Sequence, residues 1–297
     1  MRKKWARAPY SSVGHGRLPG WVKPDCLVFG GVPTEPFWVV NYDDPQRSSA
    51  ECGTSLASPY GDHAAIGVRA VLGPNVYPLT LKALLLHTCQ RSRKHPINEV
   101  GWGRIETAVE KLIACKERAA NVLYQGSILP RKYLQAQIPI PDGPLIGPIR
   151  ISATMCFATG VDVNHPVHYT RSALEITFRP DKNNIESGKT VAESKRFFST
   201  KAGTPEVKLR RGGQKWETVR HQTRRFDDPE VLKAPVFDIH YIPREAGRDP
   251  GGASLPMPYG MIISVEAPNM PNLYSGVLKK YPKLRPLQPR IKVPIRT

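Results

Sequence analysis

The sequence predicts a two-part chain. Residues 1–129 form an α/β region with part of a parallel sheet and its helices, and residues 130–297 form an all-β antiparallel sandwich or jelly-roll domain. Three observations predict this. Helical periodicity is confined to the first part. Short β-branched runs separated by Pro, Gly, Asn and Asp fill the second. Proline usage also shifts at the boundary, with ten prolines before residue 130 and twenty from it onward.

In the first part, Cys26-Leu27-Val28-Phe29 followed by Gly30-Gly31 reads as a buried strand ending in a turn. Three helices are expected after it. The first follows Pro59 and carries Ala64, Ala65, Val68, Ala70 and Val71. The second spans Leu79 to Gln90, with Leu81, Leu84 and Leu85 on its apolar face and Thr80 as a candidate cap. The third spans Ile105 to Lys116, where Ile105, Ala108, Val109, Leu112 and Ile113 fall at i, i+3, i+4, i+7 and i+8. In the second part, strands are expected over Leu134–Ile140, Ile149–Phe157, Ser172–Phe178, Lys215–Thr223, Val236–Ile242, Met261–Glu266 and Arg290–Ile295. Leu174, Ile176 and Phe178 should face one way, and Glu175 and Thr177 the other. The polar stretch Asp181–Thr204 and the Gly- and Pro-rich stretch Arg244–Pro258 read as loops.

The chain has 297 residues and a formal net charge of +18. Residues 1–129 hold 16 Lys+Arg against 10 Asp+Glu, so the excess lies mainly in the second part. The densest basic patch is Lys208, Arg210 and Arg211 with Arg220, Arg224 and Arg225 nearby. Only Trp216 and Phe226 supply aromatics there, whereas a nucleic-acid groove interleaves aromatics with its cations, so a solvated basic surface is expected. No apolar run is long enough to span a bilayer, and the basic start is not followed by an apolar segment, so neither a membrane span nor a secretory signal is expected. Five scattered cysteines without a CxxC pair fit reduced thiols in a cytoplasm. No cofactor motif is present. His165 and His168 near Asp162 read as polar residues at a loop-to-strand junction, because a metal site wants more ligands than these.

The chemical signature is Gly53-Thr54-Ser55-Leu56-Ala57-Ser58-Pro59. Glycine permits a tight turn before the serine, and Ser55 then opens a helix whose free N–H groups and positive dipole end face a reacting carbonyl. The small Ala57 and the early Pro59 suit a first turn packed close to a sheet. This heptapeptide resembles the G-T-S-x-A-x-P element of the subtilisin-like (S8) peptidases. Lys23-Pro24-Asp25 with the strand and glycines after it, Leu79–Leu86, and Gly101-Trp102-Gly103-Arg104-Ile105 followed by Ala108 are similar to the flanking elements of the same family, in the same order. The resemblance covers about 100 residues. It implies a serine endopeptidase with Ser55 as nucleophile, its own N–H in the oxyanion hole, and a polypeptide substrate. Stretches such as Ile138–Pro141, Ile151–Thr154 and Pro258–Glu266 resemble the accessory domain of one group of bacterial S8-like proteins.

The family carries its triad in the order Asp, His, Ser, with the His roughly 150 residues and the oxyanion Asn roughly 65 residues ahead of the Ser. Only 54 residues precede Ser55 here, so these groups are expected from an amino-terminal protease half. His15, in Gly14-His15-Gly16, has the wrong neighbours for the family's His motif. His63 lies eight residues along the helix from Ser55, and Asp43 and Asp44 sit in a turn sequence. A second reading stands beside the first: a catalytically inactive interaction module with a basic surface, holding a protein or nucleic-acid partner.

Overall fold

The computed structural model describes residues 5–14, 22–91, 94–115, 118–130, 132–164, 169–198, 216–243 and 255–284. His15, His165, His168, the Lys208–Arg211 patch and the expected strand Arg290–Ile295 lie outside the described residues. The strands are β1 (Phe37–Val40), β2 (Ser48–Glu51), β3 (Ala119–Ile128), β4 (Tyr133–Gln137), β5 (Ile149–Phe157), β6 (Ser172–Arg179), β7 (Val219–Phe226), β8 (Val236–Pro243) and β9 (Met257–Glu266). The α-helices are α1 (Thr54–Leu72), α2 (Pro78–His87), α3 (Ile97–Val100), α4 (Val109–Ile113) and α5 (Leu273–Lys280).

The period-2 pattern of the second part is realised as two antiparallel sheets. One has the order β3-β9-β5-β7, the other β4-β8-β6. From β3 to β9, successive strands alternate between the two sheets, so every connection crosses from one to the other. Their facing sides share one core, with Ile151, Ala153, Met155, Met261 and Ile263 from the first sheet and Leu174, Phe178, Phe237 and Ile239 from the second. The outward side chain of Glu175 and the buried Leu174 and Phe178 follow the expected alternation. The segment after β6 is more than a surface loop. It returns to place Phe197 and Phe198 in the core, where their rings lie 4.8–5.9 Å from each other and from Phe178 and Phe237.

The first part differs from the sequence expectation in three ways. The third helix shortens to α4, because the chain over Arg104–Ala108 is extended rather than helical. The strand at Cys26–Phe29 reduces to an isolated parallel bridge, Leu27 to Arg104, with Gln90 antiparallel on the other side of Arg104; a parallel sheet is not formed among the described residues. Finally, β3 belongs to the four-stranded sheet through full pairing with β9, so that sheet takes in residues ahead of position 130.

Helix α2 joins the two parts. Its residues pack on the outer face of the four-stranded sheet, and Leu81, Ala83, Leu84 and Leu86 share a core with Cys156, Val219 and Ile262 of that sheet and with Ala64 and Val68 of α1. At its amino end, the Gln125 carbonyl oxygen accepts from Tyr77 N (3.0 Å) and Thr80 Oγ1 (2.9 Å), and the Gln125 amide donates to Asn75 O (2.6 Å). Gly260 lies beneath this turn. A Cβ there would stand 2.5 Å from both Thr80 Cα and Thr80 N, a backbone contact that no rotamer relieves.

The carboxyl end of α2 is held by a polar chain that draws one residue from every strand of the sheet. His221 Nδ1 (β7) lies 2.7 Å from Thr154 Oγ1 (β5), which lies 2.8 Å from His87 Nδ1. His87 Nε2 lies 2.5 Å from Ser264 Oγ (β9), which donates to Asn121 Oδ1 (β3) at 2.7 Å. Donor inventory fixes the direction for two neutral imidazoles. Ser264 gives its only proton to Asn121, so it accepts from His87 Nε2–H. His87 Nδ1 then accepts the Thr154 hydroxyl proton, and Thr154 accepts from His221 Nδ1–H. The His221 ring is packed between Trp102 (5.7 Å) and His87 (6.1 Å). Burial, with Arg91 nearby, pushes its pKa down from 6.5 to about 4.

Three expectations follow. Gly260→Ala should lower stability by about 1–3 kcal/mol, read as a shift of the denaturant midpoint, because the added methyl meets helix backbone. Thr154→Val, which leaves both Nδ1 atoms without their shared partner, should cost about 1–3 kcal/mol. His221 also sets a pH dependence. The unfolded chain takes up its proton near pH 6.5 and the folded chain only near 4, so its contribution is complete above pH 6.5 and is lost as pH falls through that window. In denaturant titrations, His221→Asn should remove a pH-dependent term on the order of 3 kcal/mol between these limits.

Candidate serine site at the start of the long helix

Ser55 is the second residue of α1, a helix of 19 residues, and its side chain is exposed. The N–H groups of Leu56 and Ala57 are taken by Gly53 O, each at 3.2 Å. Those of Thr54 and Ser55 find no acceptor among the described residues, so they point outward from the positive end of the helix dipole. An exposed serine hydroxyl thus sits beside free backbone donors, the pairing that acyl transfer needs from a nucleophile and an oxyanion site.

The turn into the helix is built differently from the sequence argument. Gly53 has φ 171° and ψ 157°, extended backbone, and a Cβ there would meet only Ser55 N at 3.8 Å. The glycine that close packing requires is Gly30. A Cβ on it would lie 2.7 Å from Gly53 O and 3.1 Å from the Ala57 Cβ, which also explains why Ala57 is small. Gly53 N donates to Gly30 O at 2.8 Å, and Tyr10 Oη lies 2.9 Å from Gly30 O and 2.6 Å from Gly31 O. Pro59 is not in the first turn. It is the sixth residue of α1, and its missing N–H leaves the Ser55 carbonyl without its helical donor.

Residues 23–27, α2 and residues 101–105 contact one another nearby in the first part. The Asp25 carboxylate bonds Lys23 Nζ (2.8 Å) and Lys82 Nζ (2.9 Å). Burial alone would raise the Asp25 pKa, but the two ammonium groups hold it below the ordinary value. Trp102 N donates to Asp25 O at 2.9 Å, and Ile105 N to Leu27 O at 3.1 Å. Gly101, at φ 58°, has no room for a side chain, since a Cβ would lie 2.2 Å from Pro24 O.

No histidine among the described residues hydrogen-bonds Ser55. His63 is exposed on the same helix, and eight residues place it about 12 Å further along the axis. His87 and His221 are committed to the polar chain beneath α2. Asp43 and Asp44 lie in the β1–β2 turn, where Asp43 N donates to Asn41 Oδ1 and Asp44 pairs with Arg47. Asp162 makes a turn of the same kind with Asn164 N. No group of three or more His, Cys, Asp or Glu residues is placed to hold a metal among the described residues. None of the five cysteines is in a disulfide, and burial pushes Cys26 up to about 11 and Cys156 up to about 12, so neither of these supplies a thiolate nucleophile. No helix among the described residues is long and apolar enough to cross a membrane.

Two features were missed from the sequence. The polar chain under α2 is made by Asn121, Thr154, His221 and Ser264 on outward positions of the four strands, and the pairing register, which the sequence does not print, brings them together. The β1–β2 hairpin was signalled by the run of strand-favouring residues Phe37-Trp38-Val39-Val40 ahead of the turn sequence Asp43-Asp44-Pro45.

No protein-family model matches the chain, and no curated protein matches it. Among solved structures, it is similar to the crystal structure of the infectious bursal disease virus VP2 subviral particle, with a TM-score of 0.29 and 13% sequence identity. That alignment covers 58% of this chain and 35% of the viral chain.

The two glycines of the turn should respond unequally to a methyl group. Gly30→Ala should destabilise the chain by about 1–3 kcal/mol, because the new atom meets backbone at Gly53. Gly53→Ala should cost less than about 1 kcal/mol. Thermal unfolding of the two variants side by side reads the difference.

Proposed function

We propose that this chain carries the nucleophile part of a subtilisin-like serine endopeptidase, with residues 1–129 corresponding to the end of the catalytic domain. The observation that carries the proposal is the exposed Ser55 with two free N–H groups at the start of α1, inside Gly53-Thr54-Ser55-Leu56-Ala57-Ser58-Pro59. Catalysis would need a His to take the Ser55 Oγ proton, an Asp to orient that His, and an Asn to complete the oxyanion site. All three would come from an amino-terminal half, in the same gene product or a separate chain. Ser55 Oγ would then attack the peptide carbonyl, the Ser55 N–H would help hold the oxyanion, and the amine would leave with the proton from His. Water, deprotonated by the same His, would release the acyl group. Reduced cysteines fit a cytoplasmic setting for this activity.

The test is labelling by a fluorophosphonate probe. The isolated chain should react at background level, and addition of the amino-terminal half should bring Ser55 to full labelling, abolished by Ser55→Ala. Labelling that persists in Ser55→Ala, or a reconstituted complex that stays unreactive, would overturn the reading. The second outcome would leave the inactive interaction module.

A further inference from the structure

The β1–β2 hairpin is anchored on one side and bare on the other. On the anchored side, the Phe37 ring lies 5.7 Å from both Phe29 and Tyr60, which fixes the hairpin to α1. On the opposite side, Trp38 is 66% exposed and Val40 is 71% exposed, and Tyr42, two residues on, is 97% exposed. Register places Ala50 opposite Trp38 and Ser48 opposite Val40, both exposed, so small residues leave the two large apolar side chains standing clear. Scattered exposed apolar residues are ordinary on a protein surface, but a contiguous row held rigid on a two-stranded ribbon marks a contact surface. Among the described residues, β1 and β2 pair only with each other, so each strand also keeps an open hydrogen-bonding edge.

Charge selects the occupant. Residues 26–68 carry Glu35, Asp43, Asp44, Glu51 and Asp62 against the single Arg47, in a chain whose formal net charge is +18. Glu35, Asp43, Glu51 and Asp62 are exposed; Asp43 lies in the turn beyond Val40, and Glu51, opposite Phe37 in the register, stands on the other face of the ribbon from Trp38 and Val40. The hairpin is therefore a local acidic surface on a basic protein. Phosphate backbones are repelled there, and a cationic chain that the rest of the surface repels is drawn to it.

We propose that this hairpin binds an extended polypeptide segment in which basic and apolar residues alternate, added along an open strand edge. The apolar side chains lie beside Trp38 and Val40, and the cations, which alternation turns to the other face, meet Glu51, with Asp43 at the turn. The main chain of the segment extends the ribbon by strand addition. This surface does not depend on reaction at Ser55, so its failure and failure of the protease reading are separable.

The test uses the full chain carrying Ser55→Ala, so that binding is measured without turnover. The probe is a fluorescein-labelled octapeptide alternating lysine and valine, with its glutamate–valine counterpart and a single-stranded oligonucleotide as comparators. Fluorescence anisotropy should show binding of the lysine peptide, weakened by added salt, and little binding of the glutamate peptide. Trp38→Ser/Val40→Ser should weaken binding by about tenfold or more, and Asp43→Lys/Glu51→Lys should abolish the preference for the lysine peptide. Because all four side chains are exposed, circular dichroism and the melting temperature should match the parent chain. The proposal fails if the lysine peptide does not bind, if the glutamate peptide binds equally well, if the Trp38/Val40 variant binds like the parent, or if the oligonucleotide competes for the hairpin.

Discussion

Helix α2 meets the outer face of the four-stranded sheet through contacts of two kinds, and the placement of residues 22–115 depends on both. Along its middle, Leu81, Leu84 and Leu86 close an apolar seam with Cys156, Val219 and Ile262. At its two ends the seam is polar, with Gln125 at the amino turn and the His87 chain at the carboxyl turn. An apolar seam fixes distance but tolerates sliding. Directional bonds at both ends fix the helix along its axis and about it. With both imidazoles neutral, Thr154 passes its proton one way and the hydrogen bonds of the five-residue chain are all made without a net charge.

That anchored helix in turn supports the serine turn. Lys82 on α2 reaches Asp25, and the Asp25 carbonyl receives Trp102 N, which brings the Cys26–Gly31 segment beside the start of α1. Gly30 then lets that segment touch Gly53 and Ala57. The exposed hydroxyl of Ser55 is the last link in a series that begins in the sheet. A serine at a helix start is a common local arrangement. Here its position relative to the hairpin and to the Lys82–Asp25 pair comes from tertiary contacts.

The second half was legible because its strands are short β-branched and apolar runs bounded by Pro, Gly, Asn and Asp. The expected span Ile149–Phe157 is the observed β5, and the expected starts of the strands at Ser172 and Val236 are those observed. Boundaries slipped where the pattern continued past a change in partner: β9 begins at Met257, ahead of Met261, because Met257 and Pro258 pair with Ile128 and Ser127 of β3. The third helix was overextended because Ile105 and Ala108 have helical spacing, yet Ile105 N is taken by Leu27 O in an extended arrangement. Periodicity cannot distinguish those two uses of the same apolar residues.

The sequence by itself determined that Ser55 opens a helix, that the later strands bury alternate residues, and that the cysteines are too scattered to define a disulfide framework. These follow from short-range patterns, in which each residue constrains only its near neighbours. The tertiary structure decided that α2 lies on the sandwich-like sheets, that Gly30 rather than Gly53 is the glycine the turn cannot replace, and that Thr154 links two histidines 134 positions apart in the chain. Those outcomes rest on atoms brought together from distant segments, where a few tenths of an ångström and one shared proton decide which arrangement is satisfied.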